Sequence, residues 1–396
     1  MENKILNNLQ QAIELAFEKA KVLPTEQVHF LESAGRILAQ DVYSDVNMPP
    51  FNKSAMDGYA CRKEDLGAWL QMLEVIPAGQ PPLHTIGAGQ CSKIMTGAAV
   101  PKGADTVFMV EQSEVNGSQK VRFTGSKTNS NICLLGEDVT TGERVLTSGT
   151  RIKAQHIAML AAVGCTKPEV YQKPKVGIIS TGSELVEPDV FPQASQIRNS
   201  NGHQMNIQAQ ECLCVVNYYG TVEDDEQATF DLIKRSTAEN DVTLISGGVS
   251  VGDFDYVPEI IRQLGFEILF NKIAVKPGKH TTFAFNQNKY IIGLPGNPVS
   301  SFIQFEIFAK PFLLKLMNFS TSEIKIPLPL ASDYERRKSD REEFIPVKIN
   351  AKNEVETIRY HGSAHIHAYH EAYGFMTIPE GIRLIKKGET VYVRPL

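Results

Sequence analysis

Two apolar runs in the middle of the chain are short, β-branched and free of charge, and both stop at glycine. The first is KVGIISTGSEL, Lys175 to Leu185, and the second is DVTLISGGVSVGDFDY, Asp241 to Tyr256. Runs of this kind predict strands buried on both faces, as in a parallel sheet. They alternate with 3.6-period patterns near Asn201–Ala209 and Asp225–Ser236, so an open βαβ sheet is expected from Pro174 onward, closed by a helix near Ser300–Met317. Upstream, Leu9, Ile13, Leu15, Ala16 and Ala20 share a helical face between Leu6 and Lys21, and Val28–Ala39 reads as a short helix or strand. The prolines of Asn47–Phe51 mark a boundary. From there to about Gly136, Gly and Pro recur every few residues among short β-type runs such as Thr106–Val110 and Val121–Phe123, which predicts a small β-rich insertion. Gly142–Thr150 resembles a hairpin and Lys153–Val163 a helix, which is expected to pack on the helix that precedes the insertion. Beyond Asn318, strands are expected at Glu343–Ile349, Phe375–Ile378 and Thr390–Val393, in a small barrel or sandwich.

At 396 residues the chain exceeds a single ordinary core. The segments divide it into residues 1–46 with 139–173, a discontinuous linker or dimerisation domain; 47–138, the insertion; 174–318, the α/β domain; and 319–396, the C-terminal β-barrel. The fold class expected is multidomain α/β. A net charge of −5 argues against a nucleic-acid or membrane-surface partner, since both want a cationic face. The six cysteines form no C-x-x-C pair and read as free thiols of a reducing compartment. The N-terminus carries acids and amides instead of a signal peptide's apolar block, and no apolar stretch approaches the ~20 residues that span a bilayer. A cytoplasmic protein is expected.

The candidate chemistry lies at the strand tips. In STGSEL, Thr181, Gly182 and Ser183 offer donors and Glu184 an acid, although a turn with a capping acid has the same sequence. In SGGVSVGDFD, Gly247, Gly248 and Gly252 let backbone approach a ligand, Ser246 and Ser250 add hydroxyls, and Asp253 and Asp255 supply the hard oxygens that suit Mg²⁺; an ordinary loop with Asp253 as helix cap is the plain alternative. AVKPGKH holds Lys276 and Lys279 on a Pro-Gly turn, an anion clamp in the right surroundings and a solvated turn otherwise. In GLPGNPVSS, Pro295, Gly296, Asn297 and Pro298 make a stiff bend before a helix start, where anions are seated well. Asp57 in SAMDGYA, Thr96 in IMTGA, and Glu137 with Asp138 in GED are individually ordinary turn residues.

Taken in order, MPPF, SAMDGYA, IMTGA, GADTV, GED, STGSEL, SGGVSVGD, KPGK and GLPGNPVS resemble one family closely, the molybdopterin molybdenumtransferases of the MoeA type, which include the E domain of gephyrin. The motifs run from about Met48 to Ser301. The resemblance implies an L-shaped homodimer of four-domain subunits, with a molybdopterin-binding α/β module, a C-terminal β-barrel, and an active cleft between that module and the partner's insertion domain. It implies a Mg²⁺-dependent reaction of molybdate with adenylylated molybdopterin that yields molybdenum cofactor and AMP. The molybdopterin adenylyltransferase of the same pathway is an implied partner. Carried over by motif, the family's functional acids fall on Asp57, Asp138, Glu184, Asp224 and Asp255, with Asp225 one residue away from the fourth. Thr96, Lys276, Lys279, Pro295, Pro298 and Ser363 occupy its other functional positions.

The charges suit such substrates: lysines and loop amides offset the repulsion between molybdate and a pyrophosphate, and Mg²⁺ held by Glu184 and Asp255 would join carboxylates to phosphate. A tungstate-preferring enzyme and a non-catalytic molybdopterin-binding scaffold are the other readings. The chain departs from the family at Asn131–Leu135, where basic residues usually precede GED, and at Asn52 and Lys53. It departs again in HGSAHIHAYHEAYG, where His361, His365, His367 and His370 crowd together. On a β-type stretch His365 and His367 would share a face that could hold a metal, although exposed histidines need none.

Overall fold

The computed structural model describes residues 5–6, 8–117, 119–248, 256–320, 324–359, 362 and 364–396. The chain forms two compact units. One contains residues 1–26, 35–37 and 170–396, and the other residues 27–34 and 38–169.

The first unit is built on a sheet that has six strands among the described residues, in the order Val215–Val222, Lys175–Thr181, Val242–Ser246, Lys289–Leu294, Thr282–Asn286, Glu267–Phe270. The first four are parallel, and the last two add an antiparallel edge. Alternation along each strand divides the core between two faces. Val176, Ile178, Val242, Leu244 and Ile292 pack into the cluster that includes Leu9, Ala12, Ala16, Phe308 and Phe312, whereas Ile179, Ile245 and Ile291 meet Ile233, Ile260 and Ile261. Every one of the strand residues named is fully buried, which accounts for the uncharged runs. Helices Asn201–Glu211 and Glu226–Glu239 cross between parallel strands, close to the predicted spans. The predicted closing helix is continuous but mixed: Pro298–Gln304 is α, Phe305–Ala309 widens to π, and Lys310–Leu316 is α again.

The strand order reverses beside Lys175–Thr181: the chain goes first to one side, to Val215–Val222, and then to the other, to Val242–Ser246. In an open parallel sheet, the carboxyl ends at such a reversal diverge and leave a crevice. The C-terminal part of the unit is a second sheet, Val275–Lys276, Glu342–Ile349, Gly374–Ile378, Thr390–Pro395, Ile326–Pro329, with Val355–Thr357 also on Glu342–Ile349. Its first strand comes from the α/β segment and runs parallel to Glu342–Ile349, in a register that sets Lys276 opposite Glu343.

The second unit carries a mixed sheet in the order Thr106–Met109, Gly58–Cys61, Gln90–Ile94, Leu70–Ile76, Lys120–Phe123, Ser113–Asn116 among the described residues, matching the expected β-rich insertion. Two local expectations fail. Arg144–Leu146 pairs with Val42–Tyr43 instead of folding on itself as a hairpin, because the turn Gly142–Glu143 bonds back to Ser44. Helix Leu9–Lys19 belongs to the first unit and packs on Lys310–Leu316, while helix Ala154–Ala162 packs on the 3₁₀ turn Phe30–Ser33. No described helix is long and apolar enough to cross a membrane, and the six cysteines are free thiols. Burial pushes the Cys61 and Cys91 thiols up to about 12.

Candidate functional site

All four parallel strands end on one cavity of about 720 Å³. Lys175–Thr181 delivers Thr181, Gly182 and Glu184; Val215–Val222 delivers Asp224; Val242–Ser246 delivers Ser246, Gly247 and Gly248; and Lys289–Leu294 delivers Pro295, Gly296, Asn297 and Pro298. The glycines are obligatory in one place above all. Gly247 has φ +92°, and a Cβ there would lie 2.4 Å from the Thr181 carbonyl oxygen, so the second loop rests directly on the first strand's tip.

Ser183 is tied to Asp224 by a reciprocal pair: its amide donates to Asp224 Oδ2 at 3.2 Å, and its hydroxyl accepts from the Asp224 amide at 3.0 Å. Asp225 instead caps helix Glu226–Glu239, accepting from the Ala228 amide. Of the two adjacent acids, Asp224 is the one that lines the cavity. Ser183 orients that acid and is not among the residues lining the cavity.

Five residues of QIRNSN that no motif pointed to, Ile197, Arg198, Asn199, Ser200 and Asn201, also line this cavity. Asn201 donates to Ser246 Oγ at 2.8 Å and to the Gly296 carbonyl at 2.7 Å, cross-linking two strand tips. Asn199 accepts from Ser180 Oγ and the Gly202 amide and donates to the Tyr218 hydroxyl, which in turn donates to Glu187. His203 contacts the other oxygen of Glu187 at 2.9 Å. Burial raises the Glu187 carboxyl, and the hydrogen bonds from Tyr218, His203 and Asn199 outweigh it, leaving the group below its ordinary value. A polar Asn-x-Asn at a helix start, just after a loop, was the available signal.

A second cavity, of about 360 Å³, shares His280, Pro295 and Asn297 with the first and is lined by Lys276, Pro277, Gly278, Lys279, Ser300, Arg341 and Gly362. Gly278, at φ +98°, folds the turn over Gln304, whose amide donates to the Pro277 carbonyl at 3.1 Å. Arg341, the residue just before strand Glu342–Ile349 of the C-terminal sheet, donates to the Val275 carbonyl at 3.1 Å. No motif pointed to it, because its position depends on a pairing between strands far apart in sequence. Among the described residues, the lining carries three cations and no carboxylate.

Asp57 and Thr96 meet in the other unit. Asp57 Oδ1 accepts from the Thr96 amide at 2.6 Å and the Thr96 hydroxyl at 2.7 Å, and these bonds, backbone first, hold the carboxyl below the usual range. Asp138 is exposed, with its amide donating to the Met48 carbonyl, and Leu134 and Leu135 are exposed as well. Ser250, Gly252, Asp253, Asp255, His361 and Ser363 lie outside the described residues. The histidine segment is not a β-type stretch: Ile366–Tyr369 is a 3₁₀ turn that follows His365, which removes the alternation expected to align His365 with His367. The His367 and His370 rings lie 4.6 Å apart, and His370 Nδ1 is 2.7 Å from the His367 carbonyl oxygen.

Among the described residues no group of three or more His, Cys, Asp or Glu is placed to hold a metal. The oxygen donors of Glu184 and Asp224 on one cavity nevertheless fit Mg²⁺, which takes one or two carboxylates and completes its shell with water and substrate phosphate.

Comparison with known proteins agrees along the chain. Residues 7–164 match the MoeA N-terminal region (domain I and II), residues 177–315 the probable molybdopterin binding domain, and residues 328–396 the MoeA C-terminal region (domain IV). A molybdopterin molybdenumtransferase of Staphylococcus aureus (strain MRSA252) is 35% identical over 395 residues, 97% of this chain and 94% of that protein. One from Staphylococcus epidermidis (strain ATCC 12228 / FDA PCI 1200) is 38% identical over 324 residues, 80% of this chain and 77% of its own. The crystal structure of a molybdopterin biosynthesis MoeA protein from Pyrococcus horikoshii OT3 superimposes with a TM-score of 0.85 at 30% identity, covering 99% of this chain and 100% of that one. The chain therefore belongs to the MoeA-type molybdopterin molybdenumtransferases, enzymes of molybdenum cofactor biosynthesis.

Proposed function

We propose that the chain transfers molybdenum from molybdate to adenylylated molybdopterin and releases AMP in a Mg²⁺-dependent reaction. The observation that carries this reading is the pair of adjoining cavities, one lined by Glu184 and Asp224 at four strand tips and the other by Lys276, Lys279 and Arg341. Two polyanions, a pyrophosphate and an oxyanion, have to be brought together. At 4 Å, two like unit charges repel by about 1 kcal/mol in water and by about 4 kcal/mol at an effective dielectric of 20, so a site that joins them needs fixed positive charge.

In this reading Lys276, Lys279 and Arg341 hold molybdate. The Gly247 and Gly248 backbone, with the rigid Pro295-Gly296-Asn297-Pro298 turn, seats the phosphate-bearing substrate at the strand tips. Glu184 and Asp224, with Asp255, are the side chains that would hold Mg²⁺; when bound, the metal neutralises phosphate charge and polarises phosphorus. Ser183 keeps the Asp224 carboxylate turned to the cavity, and Asn201 holds the third and fourth tips together. Most of the catalytic effect comes from positioning and electrostatics. Ser250 and Ser363 are assigned to substrate binding, and Asp57, Thr96 and Asp138 to the reaction, by their motifs. The proposal extends to a homodimer in the cytoplasm, supplied with adenylylated substrate by an adenylyltransferase.

The test is AMP release from adenylylated molybdopterin, with molybdate and tungstate supplied in turn and Mg²⁺ varied. AMP with molybdate supports the reading, and a marked preference for tungstate reassigns the oxyanion. No AMP with either, while molybdopterin still binds, makes the chain a binding protein.

A further inference from the structure

Lys276 reaches the cation cavity already paired. Its Nζ lies 2.6 Å from Glu343 Oε1, and the two side chains differ sharply in exposure, 47% for the lysine and 2% for the glutamate. A carboxylate that deep in the protein requires a partner. Its second oxygen has only a 3.6 Å contact with Arg336 and no hydrogen bond among the described residues. Arg336, equally buried, gives three of its five N–H donors to the carbonyls of Ile382, Arg341 and Pro379, and its Nη1 stays 3.6 Å from Glu343, beyond hydrogen-bond distance. Lys276 is thus the close partner of Glu343, and the strand register, which sets Lys276 against Glu343, makes the pair a consequence of the fold. Two residues before Glu343, the same segment sends Arg341 to the cavity wall.

We propose that Glu343 is a positioning residue for oxyanion binding: it pins the Lys276 ammonium at the cavity wall, so an arriving oxyanion meets a cation already in place. The proposal rests on the reading of this cavity as the oxyanion seat. A lysine ammonium has three donors, so one bond to Glu343 leaves others for a ligand. A side chain held in its bound position loses less freedom when the ligand arrives. Glu343 does not touch the ligand and acts through Lys276.

Two substitutions separate reach from charge. Glu343→Asp keeps the charge but shortens the side chain by one methylene, so it cannot hold Nζ. Glu343→Gln keeps the length and an acceptor oxygen but drops the charge. Calorimetric titration of the full chain with sodium molybdate is expected to give an affinity about five- to tenfold weaker for Glu343→Asp and within about twofold of wild type for Glu343→Gln. In a Lys276→Ala background, Glu343→Asp is expected to have no further effect. Wild-type affinity in Glu343→Asp, or an undiminished loss in the Lys276→Ala background, overturns the proposal. A wild-type measurement guards against variants that fail to fold: with ¹³C-labelled lysine, the Lys276 side chain should be ordered and that of Lys279 mobile, and equal mobility overturns the proposal. Failure of the wild-type chain to bind molybdate overturns the oxyanion reading and the proposal with it, whereas binding without these differences overturns the proposal alone.

Discussion

The two cavities share His280, Pro295 and Asn297 but differ in charge and in construction. The larger is the crevice of a parallel sheet. Its carboxylates and glycines sit within a few residues of strand ends, and its geometry follows from where the strand order reverses. The smaller is assembled from a turn of the α/β segment and Arg341, just ahead of a C-terminal strand, joined by the pairing of Val275–Lys276 with Glu342–Ile349. At Gly247 the larger rests backbone against backbone, on the Thr181 carbonyl, whereas at Gly278 the smaller rests on the Gln304 side chain. The difference teaches that the carboxylate side tolerates little change in shape, while the cationic side can be tuned one charge at a time.

The sharpest way to break this comparison is to add one methyl group to each. In Gly247→Ala the new Cβ meets the Thr181 carbonyl at 2.4 Å, a backbone atom that cannot retreat, at a φ of +92°. The expected cost is about 3 kcal/mol, seen as a lower denaturation midpoint. In Gly278→Ala, at a φ of +98°, the nearest atoms belong to the Gln304 side chain, at 2.5 Å. Here about 1–2 kcal/mol is expected, partly recovered by adding Gln304→Ser. Equal costs would mean that the two turns are equally rigid.

Charge deletion comes next in size. Lys279→Ala and Arg341→Ala should each weaken molybdate binding about tenfold at low salt, with the loss shrinking as ionic strength rises. Glu184→Gln should leave that affinity within about twofold and raise the Mg²⁺ concentration needed for AMP release by about threefold or more. If Glu184→Gln altered oxyanion binding as strongly as Lys279→Ala, the two cavities would be one electrostatic site, and the division drawn between them would fail.

What the sequence made legible follows the same line. Thr181, Gly247 and Gly296 could be located because a strand that ends in glycine has a local signature, and the structure brings their tips to one cavity. The turn Lys276–Lys279 was legible for the same reason. Arg341, Glu343 and Asn201 were not. The first two take their meaning from strand register, and the third from a cross-link between loops well separated in the chain, so neither leaves a periodicity. Helix Leu9–Lys19 was visible as a helix, yet its partner, Lys310–Leu316, could not be read from an apolar face that fits many surfaces.

The smallest effect concerns acid. Glu187 borders the carboxylate cavity through Asn199, and its carboxyl is lowered in the folded state from an ordinary 4.5. A depressed carboxyl adds stability that is fully present above the unfolded-state value and disappears as pH falls through the folded-state value beneath it. Glu187→Gln removes that contribution, so wild type and variant should differ at neutral pH and converge in acid. Because Glu187 is partly exposed, with a side-chain accessibility of 34%, solvent screening keeps the difference below about 1 kcal/mol. Lys279→Ala should show no such convergence, since no lowered carboxyl is lost with it. Chemical denaturation at a series of pH values down to about 3 measures both. Parallel curves for Glu187→Gln and wild type would show that the Glu187–Tyr218–Asn199 chain bears on shape alone, and the carboxylate side would then have no counterpart to the Lys276–Glu343 pair of the cationic side.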